Sequence, residues 1–349
     1  MGRPVRSVRL ALVSVGVLAV LVAAPEARAQ GLKLTGYADL EWVATQTDDP
    51  ADEWHHFFDN HHFNLIGLAW VTDDLSGGVE VEYEHAGQEI ALEYGYIAYV
   101  GIPHVRLVGG KFIVPFNRWN RDVHPTFISK MPDRPIVYNN VFPATYSDVG
   151  FLASGAGAVG NGSRITYDAY VVNGLKGDAD ATNFRDLTAN DRERPDRDDN
   201  KAVGGRLGVE FPLAGFGISA YTGDYAKTET DGLGISFLGL DGDVHWQGLE
   251  LRGEYVRATQ DLTTGAENER SGYYVQAAYA TPVNLEPVVR FSSIDFEEAS
   301  GDAKELGIGV NYFLSASGTL RVGYYFEMED EEEFEKDNNK FLTQFVVVF

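Results

Sequence analysis

Apolar and polar side chains alternate one by one along most of this chain, and that periodicity leaves it few folds. Val79-Glu80-Val81-Glu82-Tyr83-Glu84 puts two valines and a tyrosine on one side of an extended segment and three glutamates on the other. Leu249, Leu251, Gly253 and Tyr255 interleave with Glu250, Arg252 and Glu254; Leu320, Val322, Tyr324 and Phe326 interleave with Arg321, Gly323, Tyr325 and Glu327. Successive side chains of a strand point to opposite faces, so a period of two is a strand signal. After residue 30 no apolar run reaches the roughly 20 residues that a spanning helix needs. A soluble sandwich also alternates, so the connections have to decide between sandwich and barrel.

The pattern predicts sixteen strands, over 31–47, 54–72, 77–86, 90–101, 104–114, 146–154, 163–173, 201–211, 215–226, 231–241, 244–260, 269–281, 284–297, 302–315, 318–329 and 338–349. Links from even to odd strands are short and rich in turn residues, as in Thr72-Asp73-Asp74-Leu75-Ser76-Gly77, Ile102-Pro103-His104, Pro212-Leu213-Ala214-Gly215, Asp241-Gly242-Asp243, Pro282-Val283-Asn284 and Ser315-Ala316-Ser317-Gly318. Odd-to-even links are mostly longer and more polar, and those at 115–145 and 174–200 are very long. Tight turns on one rim and long loops on the other describe a transmembrane barrel with periplasmic turns and external loops. The expected fold is therefore all-β, a 16-stranded antiparallel transmembrane β-barrel. The even strand number puts both termini on the periplasmic side.

The first thirty residues agree with export. Arg3, Arg6 and Arg9 precede an uncharged apolar run from Leu10 to Ala24, and Ala27-Arg28-Ala29 supplies an A-x-A cleavage signal. A signal peptide is expected over 1–29, leaving a barrel of residues 30–349 that starts at Gln30. The formal net charge is −24, and removal of the basic leader makes the rest more negative still. Such a surface repels nucleic acid. Cysteine is absent, which excludes disulfides, thiol nucleophiles and thiolate metal sites. The chain ends on Phe341-Leu342-Thr343-Gln344-Phe345-Val346-Val347-Val348-Phe349. Phe341, Phe345, Val347 and Phe349 share one side of that strand, expected to face lipid, with Phe349 in the interfacial aromatic girdle.

The stretch from Ala98-Tyr99-Val100 through Val105-Arg106-Leu107-Val108-Gly109-Gly110-Lys111-Phe112-Ile113-Val114-Pro115-Phe116 resembles the phosphate-selective porin O and P family. Asp133-Arg134-Pro135-Ile136-Val137 is similar to a segment that many members carry in the following long loop. Phe63 to Leu75, the Val79–Tyr83 run, Lys304 to Ser315 and the final strand fit in outline. The resemblance implies a trimeric outer-membrane porin, general or anion-preferring, that passes small hydrophilic solutes or inorganic anions. Members often have an arginine-rich second strand, whereas this chain reads Asn64-Leu65-Ile66-Gly67-Leu68-Ala69-Trp70. That departure thins the implied arginine ladder, and phosphate specificity is not carried over.

Site expectations follow from the barrel. A sixteen-stranded lumen is wide enough for water, and Glu80, Glu82, Glu84, Arg252, Glu254 and Arg321 are expected to line it. Loop 115–145 is expected to fold inward as the constriction. Pro115, Pro125, Pro132, Pro135 and Pro143 restrict its backbone, and Phe116, Trp119, Phe127, Ile128 and Ile136 are more apolar than a solvated loop needs. Its basic residues, Arg118, Arg121, Lys130 and Arg134, with Lys111 on the preceding strand, are the expected filter and outnumber Asp122 and Asp133.

Other motifs have plainer readings. Gly155-x-Gly157-x-x-Gly160 fits a dinucleotide fingerprint as a string, but an alternating strand follows it rather than a helix, so a flexible periplasmic turn is expected. His55, His56, His61 and His62 surround Asp59 and Asn60. At strand spacing no more than two of these imidazoles project together, so no metal site is expected. The acidic runs 191–199 and 327–335 are expected to be solvated external loops, with divalent-cation bridging to lipopolysaccharide as their functional version. Lipid and lipopolysaccharide are thus the surrounding partners, and no cofactor is implied. No catalytic motif stands out, so a channel is expected rather than an enzyme. A barrel-embedded enzyme and a barrel enclosing a partner are the alternatives.

Overall fold

Each alternating run pairs with the next in an antiparallel ladder, and the last pairs back to the first. The computed structural model describes residues 31–47, 53–143, 145–177, 187–189, 200–227, 232–296, 302–329 and 338–349. Among them the barrel strands are β1 (Gly31–Thr47), β2 (Glu53–Asp59, continuing as His62–Trp70), β3 (Leu75–Glu84), β4 (Glu89–Ile102), β5 (Val105–Ile113), β6 (Ser147–Gly160), β7 (Ser163–Val172) and β8 (Ala202–Phe211). Then follow β9 (Ala214–Lys227), β10 (Gly232–Trp246), β11 (Leu249–Asp261), β12 (Glu267–Tyr279), β13 (Leu285–Phe296), β14 (Ala303–Ser315), β15 (Gly318–Glu329) and β16 (Lys340–Val348). β16 joins β1 from Tyr37↔Val348 to Thr45↔Lys340. The result is a closed 16-stranded antiparallel barrel. Closure removes the unpaired edges that backbone groups could not tolerate in lipid.

The two faces are inverted relative to a water-soluble protein. Leu34, Phe58, Ile97, Phe151, Leu207, Leu238, Val275 and Ile308 stand exposed on the outside. Asp39, Glu41, Asn64, Glu80, Arg206, Asp241, Glu254, Arg290, Glu305 and Gln344 are buried on the inside. An exposed apolar belt around a polar interior is stable only where the outer solvent is hydrocarbon.

Two turn assignments need correction. Asp241-Gly242-Asp243 is not a turn: it lies within β10, and the chain reverses at Gln247-Gly248, with φ of 46° and 86°. Alternation carries Asp241 and Asp243 to the inner face, where arginines meet them. The Gly155–Gly160 stretch likewise belongs to β6, with the reversal at Asn161-Gly162 (φ 50° and 75°). A two-residue hairpin with both φ positive matches the strand twist, and Asn-Gly adopts it readily. The expected leader at 1–29, the acidic run 191–199 and the 330–335 part of the second acidic run lie outside the described residues.

Candidate functional site

Between β5 and β6 the chain turns into the barrel and packs on its inner face. Phe116, Trp119, Val123, Val137, Tyr138, Val141, Phe142 and Tyr146 form one buried cluster with Tyr221, Phe237, Val256, Ala258, Tyr274 and Ile294 of β9–β13. Phe116 stacks on Phe142 at 4.3 Å between centroids, and Trp119 on Tyr138 at 4.5 Å. Asn120 ties the two ends of the loop: its Nδ2 donates to Val114 O (2.8 Å), and its Oδ1 accepts from Tyr146 N (2.9 Å). Glycines in the wall give the loop room. A Cβ on Gly239 would sit 2.1 Å from Asn117 Oδ1, and one on Gly307 would sit 2.9 Å from the Met131 methyl.

The loop's cations meet the wall's anions. Arg118 lies 2.8 Å from Glu210 and 2.8 Å from Asp243. Arg121 approaches Asp122 (3.3 Å) and Asp168 (3.4 Å), and Lys130 approaches Glu286 (2.6 Å) and Glu250 (3.4 Å). Arg206 clamps Asp241 with two bonds of 2.8 and 2.5 Å. Arg290 donates to the carbonyls of Asp133 (2.7 Å) and Arg134 (3.0 Å) and to Glu305 (2.9 Å), fixing the middle of the loop. Arg321 donates to Thr126 O and to Gln344. Glu254 accepts from Tyr138 and Tyr274 beneath the loop. Arg252 pairs with Glu250 at 3.1 Å. Lys111 lies on β5, outside the loop. Its register partners are Gly95 and Val149, in the row of the exposed Leu107 and Phe151, and it interacts electrostatically with Glu93.

A cavity of about 590 Å³ remains between the loop and the wall of β1–β4. Arg134, Asp133, His124, Thr126 and Tyr138 line it from the loop, and Tyr37, His61, His62, Glu82, Glu84 and Glu93 from the wall. Of the five basic residues that the sequence points to, Arg134 is the one on this lining. Glu80 lies just behind, and Asn64 Nδ2 donates to it and to Glu82 at 2.7 and 2.6 Å.

A family profile described as Gram-negative porin matches residues 126–332. The chain belongs to the Gram-negative porin family. This porin is a protein of the bacterial outer membrane, and family and fold point to a channel rather than an enzyme. It is 26% identical over 283 residues to an uncharacterized protein of Aquifex aeolicus. That match covers 72% of this chain and 62% of the relative, so the chain spans under two thirds of the relative's length. Among solved structures it is similar to an anion-selective porin from Comamonas acidovorans (TM-score 0.67, 11% identity, 91% of this chain and 99% of that one). It is also similar to the outer-membrane protein OmpT of Vibrio cholerae (TM-score 0.64, 10% identity, 93% and 100%). The outer-membrane channel DcaP of Acinetobacter baumannii is a third (TM-score 0.63, 12% identity, 91% and 97%). At these identities the likeness is one of fold.

Inside the porin, His124 and Asp133 of the loop depart from ordinary behaviour. Burial lowers the His124 pKa to about 3, with Arg134 adding to the effect, and the ring's Nδ1 lies 3.0 Å from Asn120 O. Burial alone would raise Asp133, yet Lys340, Arg290 and Arg134 around it hold its carboxyl below the usual range.

The porin also assembles a histidine cluster that strand spacing argues against. Glu41 pairs with Asp59 and Ala38 with Phe63, so Asp39 and Leu40 of β1 face three residues of β2, Asn60, His61 and His62. This bulge breaks the alternation and aims consecutive side chains at one face. His61 and His62 ring centroids come within 3.9 Å, and His85 (φ 50°) adds a third ring 5.4 Å from His61. Asn60, which donates to Asp39 O (2.9 Å), is the residue in the sequence that hints at the irregularity.

Proposed function

We propose that this porin is a water-filled channel for passive diffusion of small hydrophilic solutes and inorganic ions, with loop 115–145 of the exported 30–349 barrel as its constriction. The observation that carries this reading is the cavity of about 590 Å³ left between the loop and the wall of β1–β4, opposite the side where the loop packs on β9–β13. Charges at such a narrowing act at short range against low-dielectric walls, while those on outer loops are screened beyond about 8 Å at physiological salt. Local charge therefore outweighs the overall acidity.

For ion preference we propose a mild selection for anions. Arg134 carries it, placed on the lining by the Arg290 bond to its own carbonyl. Its segment, Asp133 to Val137, is one of those resembling the phosphate-selective O and P group, and the Comamonas protein of like fold is named as anion-selective. A second reading comes from the pairing of Arg118, Arg121 and Lys130 with wall carboxylates. With those charges offset, Glu82, Glu84 and Glu93 would leave the passage neutral or weakly cation-selective. Reversal potentials in a potassium chloride gradient separate the two. Anion selectivity that declines in Arg134→Glu supports the first; a cation-selective wild type, or one indifferent to that substitution, supports the second.

We further propose a trimer. One of the Vibrio cholerae OmpT structures of the same fold is described as a trimer form, and the outer face of β8–β10 has a groove lined by Val203, Gly205, Leu207, Ile218 and Ala220. A barrel that migrates only as a monomer in semi-native electrophoresis, whatever the detergent, rules this out.

A further inference from the structure

The histidine bulge of β2 faces the channel, and its side chains are arranged as ligands rather than as a packed core. Asp39, His61 and His62 each present one ligand atom, all within 4.8 Å of one another. His62 Nδ1 is 3.0 Å from Asp39 Oδ2. Two ligands of a tetrahedral zinc, each about 2.0–2.1 Å from the metal, stand about 3.3 Å apart, so that pair needs little adjustment. We propose that Asp39, His61 and His62 form a divalent-metal site in the channel wall, suited to Zn²⁺ or a similar borderline cation, with the fourth position open to water or to a passing solute.

Three observations support the assignment. First, the shell around the group is built. Asp39 accepts from His62 N (3.0 Å) and from Thr126 Oγ1 (2.7 Å), and Glu84 stands 3.6 Å from His62 Nε2. A carboxylate behind a ligating imidazole fixes its ring and raises its basicity. Second, His61 Nδ1 is a buried nitrogen that completes no hydrogen bond among the described residues, although Glu41 is 3.3 Å away. Orphaned buried polar atoms are rare and call for a partner. Third, His61 and His62 line the cavity, so an ion has a route in and its charge is met by the passing solute. An alternative role, in which the Asp39–His62 pair only anchors the loop through Thr126, accounts for His62 and leaves His61 to its approach to Glu41 at 3.3 Å. Two imidazoles with one carboxylate form a nitrogen and oxygen donor set that favours zinc-like ions over calcium or magnesium.

The test is calorimetric titration of zinc chloride into the folded barrel in detergent, paired with single-channel recording. The expected result is one equivalent bound per chain, with affinity at least tenfold weaker in His61→Gln and in Asp39→Asn. The double substitution His55→Gln and His56→Gln, at the far end of β2, should bind as wild type does. Zinc should also reduce or block wild-type conductance and leave that of His61→Gln unchanged. Absence of a stoichiometric equivalent in the wild type overturns the proposal even if a variant fails to assemble. Equal affinity in His61→Gln overturns it too. Because binding is read apart from conduction, failure here leaves the channel reading untouched.

Discussion

Arg118, at the root of the inward loop, places Nε 2.8 Å from Oδ1 of Asp243, near the Trp246 end of β10 on the barrel wall. The same guanidinium reaches Glu210 at 2.8 Å and lies 3.7 Å from Asp241, so one loop cation ties β8 to β10. Removing one partner of a mostly buried ion pair leaves uncompensated charge, a loss of about 3–5 kcal/mol when burial is complete and less here. Arg118→Glu adds repulsion to that loss. The expected outcome is a loop that detaches, seen as higher and noisier single-channel conductance and a lower unfolding temperature. Unchanged conductance and stability would show that this pairing does not hold the loop.

Gly239 gives a steric counterpart. Asn117 donates its backbone N–H to Ser219 Oγ (2.9 Å) and its Nδ2 to Tyr255 O (3.2 Å), lying directly over Gly239. Gly239→Leu fills the place occupied by Asn117 and Phe116. Overpacking of this kind costs about 1–3 kcal/mol, and the loop root is the part free to move. Conductance should rise with little change in reversal potential, because no charge is altered. Wild-type conductance in an assembled Gly239→Leu barrel contradicts this.

Phe349 bears on assembly and not on conduction. It is exposed on the outer face, its ring centroid 5.8 Å from that of Phe63, and its backbone exchanges two hydrogen bonds of 2.9 Å with Gly36. Phe349→Asp places a carboxylate at the lipid boundary without touching the lumen. Heat-modifiable barrel should become scarcer while the channels that form keep wild-type conductance. Normal yield, or altered conductance, counts against the outward placement.

His124 predicts the direction of an acid effect. Its folded pKa, lowered by burial to about 3, lies below the 6.5 of an ordinary histidine. Between those values the unfolded chain binds a proton that the folded chain does not, so stability declines as pH falls from about 6.5 towards 3. The slope is at most about 1.4 kcal/mol per pH unit. Asp133, held below its usual 3.8, begins to add to the loss only under that value. Denaturant midpoints of wild type and His124→Gln, compared from pH 7 to pH 4, should converge as pH falls. Parallel curves would show that His124 does not titrate as its burial implies.

Much of the architecture could be read in one dimension, because a barrel wall is a local pattern repeated. Val79 to Glu84 specifies a strand and its two faces without knowledge of any neighbour, and the chain alternates short and long links from strand to strand. Chain order also sets which strands pair, since hairpins join consecutive runs. Turn positions were less legible. Asp241-Gly242-Asp243 has the composition of a reversal, yet Arg206 and Arg118 draw both aspartates into the lumen, and Gln247-Gly248 makes the turn instead.

The sequence by itself determined the closed, outward-apolar barrel and the apolar, proline-restricted character of loop 115–145, because both follow from the order of side chains along the chain. Only the tertiary structure decided which of the loop's charges line the cavity. Arg118 and Arg134 carry the same guanidinium, but one contacts wall carboxylates while the other lines the cavity, and that difference depends on residues far away in the chain. The histidine cluster depends on an offset of a single residue between β1 and β2, which turns His61 and His62 to one face. Alternation records which residues share a face, and it loses that record wherever two paired strands differ in length by one.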